Sequence, residues 1–302
     1  MSNKRILLLG GNGYIGCRLY EHLLDTGYIV DNIDLCWFGQ VYDETIVIDY
    51  KHLTKEQLKK YTHIILLAAH SSVAMCKNNL FSALNNNATN FVGLLDKITD
   101  DQMLIYASTC AIYGKNPALA TEDMEIKPAL NFYDYSKIST EQIARLYPTK
   151  NIVGLRFGSV SGFSKNMRKE NLVNALTLTH LQNKPLVVSN GDSMRSVLGV
   201  SDACRAIEAI VSRDTVKRNI YNITSVNASI MDFAKTVQSL SGAELIVNDS
   251  FQTDYSFHCS THLFEQDYGF TFTDTTESIY HELMQQYQSI QFNIDRGIIT
   301  YA

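Results

Sequence analysis

The sequence predicts an α/β fold, a doubly wound parallel sheet with a smaller C-terminal lobe interleaved into it. Two observations carry this. Short β-rich runs alternate with helical stretches as far as residue 160, and the first run leads directly into glycines that open a helix. Such alternation argues for a parallel sheet covered by helices on both faces.

Taken in order, Arg5–Leu9 reads as the first strand, Tyr14–Thr26 as the first helix and Tyr28–Asp34 as the second strand. A strand near Thr45–Asp49, a helix from Thr54 and the buried-strand run His63–Ala69 follow. Next come an Asn-rich helix around Leu80–Ile98, a strand at Met103–Ala107, a helix around Tyr133–Leu146 and a strand at Ile152–Phe157. Beyond residue 160 the pattern loosens into a helix at Leu172–His180, a turn at Asn190-Gly191-Asp192, a helix at Asp202–Ser212 and a mixed tail after Asn227. The expected domains are therefore 1–160, also receiving about 196–226, and a second lobe from 161–195 and 227–302. With four prolines and no low-complexity stretch, no linker is expected between them.

Composition narrows the function. A chain of 302 residues, 45% hydrophobic and 19% charged, can bury a sizeable core. Its net charge of -5 is spread out, and no Lys/Arg stripe is present to neutralise a phosphate backbone, so nucleic acid is not an expected partner. The early apolar run Ile6–Leu9 is too short for a signal-peptide core or a membrane span, which reads as cytoplasmic. The six cysteines (17, 36, 76, 110, 204 and 259) form no C-x-x-C pair, and no His pair stands at zinc spacing; neither disulfides nor a metal are expected.

The run Gly10-Gly11-Asn12-Gly13-Tyr14-Ile15-Gly16 sits between an apolar strand and a helix. Glycines there let the backbone turn sharply and approach a pyrophosphate, whose charge meets the helix N-terminus. This is the phosphate loop of a Rossmann-type dinucleotide site. Asp34 ends the next strand, 18 residues after Gly16, near the spacing of an acid that accepts hydrogen bonds from the adenosine ribose. A carboxylate there repels a 2′-phosphate, so NAD is expected over NADP. A strand-terminal Asp also serves as a plain turn or cap residue. Asp49, at another strand end, is a weaker candidate for the adenine amino group.

Tyr133 and Lys137 stand at i, i+4, on one helix face. A phenol is a poor base at neutral pH, but a nearby ammonium and an oxidised nicotinamide favour its phenolate. Tyr133 would then exchange a proton with a substrate hydroxyl as hydride moves, with Thr109 holding that hydroxyl. Tyr-x-x-x-Lys alone is a common accident on amphipathic helices.

At this point the chain resembles the extended short-chain dehydrogenases/reductases of the NAD-dependent epimerase/dehydratase family, in particular their sugar-nucleotide epimerases. The likeness runs through the glycine loop, Leu67-Ala68-Ala69, Asn87 ahead of Leu94-Leu95, Ser108-Thr109-Cys110-Ala111-Ile112-Tyr113-Gly114, Tyr133 with Lys137, and Leu155-Arg156-Phe157-Gly158-Ser159-Val160-Ser161-Gly162. It implies that Tyr133 is the acid/base, that Lys137 grips the nicotinamide ribose and that Thr109 completes the relay. It also implies retained NAD, contacts from Ala68, Ala69 and Asn87, and a homodimer joined through the helices carrying Asn87 and Tyr133. Met167-Arg168, Asn174 and Arg195, followed by Val200-Ser201-Asp202, fall where related sequences grip a sugar nucleotide, and Ser159 where many have Asn. Guanidinium groups suit phosphate oxygens, although either arginine serves equally well as a surface ion-pair residue.

Related dehydratases carry an Asp-Glu pair after the Thr, and related decarboxylases need a Glu at the second of those positions. Here those positions are Cys110 and Ala111. Oxidation at one carbon remains: epimerisation, most simply at C4 of a nucleotide sugar, or reduction of a keto sugar. Asp34 tilts the expectation towards the NAD epimerase; a dinucleotide sensor without turnover is a third reading. Asp254-Tyr255-Ser256-Phe257 falls where relatives often place a second diphosphate-binding Arg, a charge that Tyr255 does not supply.

Overall fold

The computed structural model describes residues 4–248, 253 and 255–287. Asp254 and the expected lobe residues 288–302 lie outside the described residues. Seven strands form the main sheet: β1 (Arg5–Leu9), β2 (Ile29–Asp34), β3 (Ile46–Val47), β4 (His63–Leu66), β5 (Met103–Thr109), β6 (Asn151–Phe157) and β7 (Ile220–Ile223). Every pairing between them is parallel, and the spatial order is β3-β2-β1-β4-β5-β6-β7. The order reverses between β1 and β4. A doubly wound sheet opens a ligand crevice at that switch point, outside the carboxyl ends of its strands.

Successive side chains of a strand point to opposite faces, and β1 uses both. Ile6 and Leu8 join the core shared with Leu19 and Leu23 of the Tyr14–Asp25 helix and with Ile207 and Ile210 of the Val200–Val211 helix. Leu7 and Leu9 join the opposite core, with Phe91 and Leu94 from the Asn90–Leu95 helix. All four are fully buried, each stabilising by roughly 1.5–3 kcal/mol relative to exposure. This explains the continuous apolar run.

The first of these cores continues into the second lobe. It also contains Val173, Phe233, Phe264 and Leu283, from helices at Leu172–Leu181, Ile230–Ser241, His262–Tyr268 and Thr276–Gln285. A three-stranded sheet of Ser159–Ser161, Met194–Gly199 and Val226–Ser229 leads the chain out of the main sheet and back. Asp202 and Asp274 fasten the lobe. The fully buried Asp202 carboxylate accepts the backbone N–H of Thr273 and Asp274 at 3.0 and 2.9 Å, while Asp274 accepts the Asp202 N–H at 2.9 Å.

Three features depart from the expected elements. The Asn-rich helix is broken into Leu80–Leu84, a π-helical turn at Asn85–Thr89 and Asn90–Leu95. The helix expected from Thr54 is the single turn Lys55–Leu58, held by a reciprocal Thr54/Gln57 cap. Lys115–Ala120 is a strand that pairs in parallel with Ser256–Cys259, a contact between segments too distant in the chain to be read from local pattern.

Candidate active site

The glycine loop follows β1 at the switch point. Gly10 has φ +96°, and a Cβ on it would stand 2.5 Å from the Ala68 backbone nitrogen; one on Gly16 would stand 2.0 Å from the Gly10 carbonyl oxygen. Those two glycines are required by the turn and by the close approach of helix to strand. Gly13 differs. Its φ of -75° suits any residue, and its nearest neighbour would be the Gly10 oxygen at 3.3 Å. The helix that begins after it has neither a side-chain cap nor an acidic residue in its first turn. A bare backbone surface before uncapped amides suits an anion that approaches closely.

One cavity of about 560 Å³ opens over this loop. Gly10, Gly13, Tyr14, Ile15, Gly16, Asp34, Asp49, Ala68 and Ala69 line it, as do Thr109, Tyr133, Lys137, Ser159, Arg168 and Arg195. Of the residues singled out from sequence, Asn87 and Asn174 are not among its walls. Both stand behind them. Asn87 donates to the His70 carbonyl at 3.0 Å and accepts its N–H at 2.8 Å, fixing the loop after β4. The fully buried Asn174 accepts the Gly162 N–H at 2.8 Å and donates to the Tyr14 hydroxyl at 2.9 Å. That hydroxyl in turn donates to the Gly162 carbonyl at 2.7 Å, so the Tyr14 side chain ties the first helix to the lobe.

Asp34 orders the loop beyond β2. Its carboxylate accepts the Asn12 N–H at 2.9 Å and the Cys36 N–H at 2.6 Å. Asp49 pairs with Lys51 at 2.8 Å and accepts its N–H, as a cap does. Trp37 and Phe38 also line the cavity, and Trp37 meets His70 edge-on with ring centroids 5.1 Å apart. Asn166, another wall residue, donates to the Asn12 carbonyl at 2.7 Å and pins the glycine loop from the lobe side. Neither Trp37 nor Asn166 belongs to a recurring pattern; a lone tryptophan just after the strand that ends in Asp34 was the available signal.

At the end of β5, Thr109 lines the same cavity as Tyr133, and its hydroxyl accepts the Ala111 N–H at 3.1 Å. The Phe132–Arg145 helix places Tyr133 in its first turn, where the Asn131 side chain caps the N–H of Tyr133 and Asp134 at 3.0 and 3.1 Å. Burial pushes the Tyr133 phenol up to about 12, against the lowering influence of the nearby Thr109 hydroxyl and of the positive charge of Arg168. One turn on, Lys137 lies 6.0 Å from the Tyr133 ring centroid and donates to the Ala107 carbonyl at 3.0 Å. Its burial lowers the ammonium to about 8.

Next to Thr109, the Cys110 thiol is fully buried and donates to the Arg156 carbonyl at 3.0 Å; burial raises its pKa well above the ordinary thiol value. Ala111 is the wall residue there. On the lobe side, Arg168 pairs with Glu170 at 2.6 Å and donates to the Ser71 carbonyl at 2.9 Å, bridging the cavity mouth. Arg195 donates to the carbonyl of Tyr255 and, at 3.2 Å, to the Thr253 hydroxyl. Among the described residues no cluster of metal-ligating side chains occurs, and no helix is long and apolar enough to cross a membrane.

A doubly wound sheet with a glycine loop at its switch point and a Thr–Tyr–Lys constellation in the same cavity is the arrangement of the extended short-chain dehydrogenases/reductases. The chain belongs to the NAD dependent epimerase/dehydratase family, whose sequence model matches residues 6–224. It is 26% identical over 274 residues to a protein of Bacillus subtilis (strain 168) described as an uncharacterized UDP-glucose epimerase, covering 82% of this chain and 85% of that one. Its fold is similar to that of TunA, an NAD dependent NDP-hexosamine 5,6-dehydratase, with a TM-score of 0.84, 23% identity and 95% and 98% of the two chains covered. It is also similar to that of the UDP-glucuronic acid 4-epimerase from Bacillus cereus, solved with UDP-glucuronic acid and NAD, with a TM-score of 0.80, 23% identity and 94% and 100% covered.

Proposed function

We propose that this protein is an NAD-dependent epimerase that inverts C4 of a nucleoside-diphosphate sugar through a transient keto sugar. One observation carries the choice of reaction. Beside Thr109 and Tyr133 the wall is Ala111, while the Cys110 thiol is turned onto the Arg156 carbonyl. The acid–base pair that related dehydratases carry at these two positions is absent, which favours oxidation and return of hydride at one carbon over loss of water.

Gly13 and the first-turn amides would hold the pyrophosphate of NAD, and Asp34 the adenosine ribose. Bound NAD supplies the hydride acceptor and, once the keto sugar has turned its other face, the hydride donor. Thr109 positions the substrate hydroxyl and Tyr133 takes and returns its proton. Lys137 favours the phenolate and anchors the nicotinamide ribose. Arg168 and Arg195 meet the diphosphate, Arg168 exchanging its Glu170 partner for phosphate oxygens, and Ser159 meets the sugar. The reading includes a cytoplasmic homodimer joined through the helical stretches that carry Asn87 and Tyr133, where Phe81 and Tyr135 are 82% and 53% exposed.

Purified protein incubated with a panel of nucleotide sugars, without added reductant, tests this. Interconversion of C4 epimers with no net NADH formation is expected, and Tyr133→Phe should cut the rate by about 10²–10⁴-fold while retaining NAD. Steady NADH consumption with a keto sugar would make it a reductase instead; absence of any turnover would favour a sensor.

A further inference from the structure

The cavity contains a second phenol. Tyr255 lines it together with Tyr133 and Thr109, and is held from three sides. Its ring meets Phe257 edge-on at 6.5 Å, its carbonyl accepts from Arg195, and its hydroxyl donates to the Asp134 carboxylate at 2.7 Å and accepts from the Asn131 side-chain amide. Asp134 is the residue next to Tyr133 and is 1% exposed. It also borders a second, separate cleft lined by Gly114, Lys115, Lys127 and Leu130. A carboxylate in the first turn suits the helix dipole, and that accounts for Asp134 but not for a phenol aligned on it from 121 residues away, just ahead of the Ser256–Cys259 strand.

We propose that Tyr255 and Asp134 form a second acid–base pair, which removes and returns the proton on the carbon next to the oxidised one. This rests on the keto-sugar chemistry proposed above. A hydrogen beside a ketone is acidic. As that C–H bond breaks, its electron pair enters the C=C bond of an enolate whose oxygen stays on Thr109 and Tyr133. The proton passes to the Tyr255 oxygen while the phenol proton moves to Asp134 Oδ2. No redox change accompanies the step. Rotation of the Tyr255 hydroxyl lets its hydrogen and the one on Asp134 change places, Asp134 exchanges with water through the second cleft, and reversal then puts a solvent hydrogen on the carbon. The chain lacks the acid–base pair of related dehydratases at 110 and 111 and carries Tyr255 on another part of the same cavity, with Asp134 behind it.

The test supplies the keto sugar directly. Wild-type protein with bound NAD is incubated in D2O with a nucleoside-diphosphate 4-keto-6-deoxyhexose, in uridine, thymidine and guanosine forms, and deuterium on carbon is read by NMR and mass spectrometry. Wash-in at a carbon adjacent to the ketone at least tenfold above the protein-free rate is expected, with a tenfold or greater fall in Tyr255→Phe. That variant keeps the ring and the Arg195 contact, and its fold is checked by thermal melting. Wild-type exchange no faster than the protein-free rate, or equal exchange in a folded Tyr255→Phe, overturns the proposal. Failure of the epimerase reading is distinct: exchange from the keto sugar would persist while no pair of nucleotide sugars interconverts.

Discussion

Lys137 is a cation placed where a cation is costly. Burial brings its ammonium from the ordinary 10.5 to about 8, so the folded state holds this proton less tightly than the unfolded chain does. Between about 8 and 10.5 the unfolded chain therefore binds more protons, and this residue's contribution to stability rises with pH across that window; below it the full cost remains. Lys137→Met is expected to melt at or above the wild-type temperature at pH 7 while losing at least ~100-fold in turnover. A lower melting temperature with activity intact would show that the ammonium serves packing instead. The Tyr133–Lys137 spacing was visible in the sequence because helical geometry makes i, i+4 neighbours. The Asp134–Tyr255 contact was not, since it joins a helix to a residue 121 positions along the chain, just ahead of a strand, and no local period encodes that distance.

The glycine loop and the helix behind it separate two reasons for being glycine. Gly16→Ala drives a methyl to within 2.0 Å of a backbone oxygen, whereas at Gly13 the new carbon meets only one atom at 3.3 Å. Gly16→Ala should therefore lower stability by several kcal/mol, of the order of other backbone-forcing substitutions, or prevent folding. Gly13→Ala should cost about 1 kcal/mol or less and yet weaken NAD binding at least tenfold, because the added methyl stands in the cofactor's path. Urea denaturation and NAD titration on the two variants check this; equal losses in both assays would merge the roles. The motif predicted its own strand–turn–helix setting, and that is why this part of the site was legible. Asn87 and Asn174 show where such reading stops: their types and positions fitted ligand contact, yet their hydrogen bonds go to the His70 loop and to Tyr14.

At the scale of the whole molecule, the joint between lobe and sheet is pH-sensitive. Burial, together with the nearby charges of Asp202 and Glu282, raises the Asp274 carboxyl from 3.8 to about 6. The folded state holds this proton more tightly than the unfolded chain, so the Asp274 contribution falls as pH rises from about 4 to about 6 and stays at its lowest above that. Asp274→Asn, which keeps an acceptor for the Asp202 N–H, should flatten the stability profile over that range and raise the urea midpoint at pH 7. An unchanged profile would mean that Asp274 titrates alike in both states. The alternating elements up to residue 160 announced a parallel sheet, but the fastening of the lobe depends on Asp202 and Asp274, 72 residues apart and unmarked by any pattern.

The strand that closes the sheet, β7, is drawn from residues 220–223, whereas its neighbour β6 ends at Phe157. On the ribosome this imposes a wait. When Phe157 has emerged, the nascent sheet has an open edge of nearly wholly buried residues, and at about 5–20 residues per second its partner arrives several seconds later. During that interval the edge is a template for strands of other chains, so early truncation and premature release are the events from which this protein has most to lose.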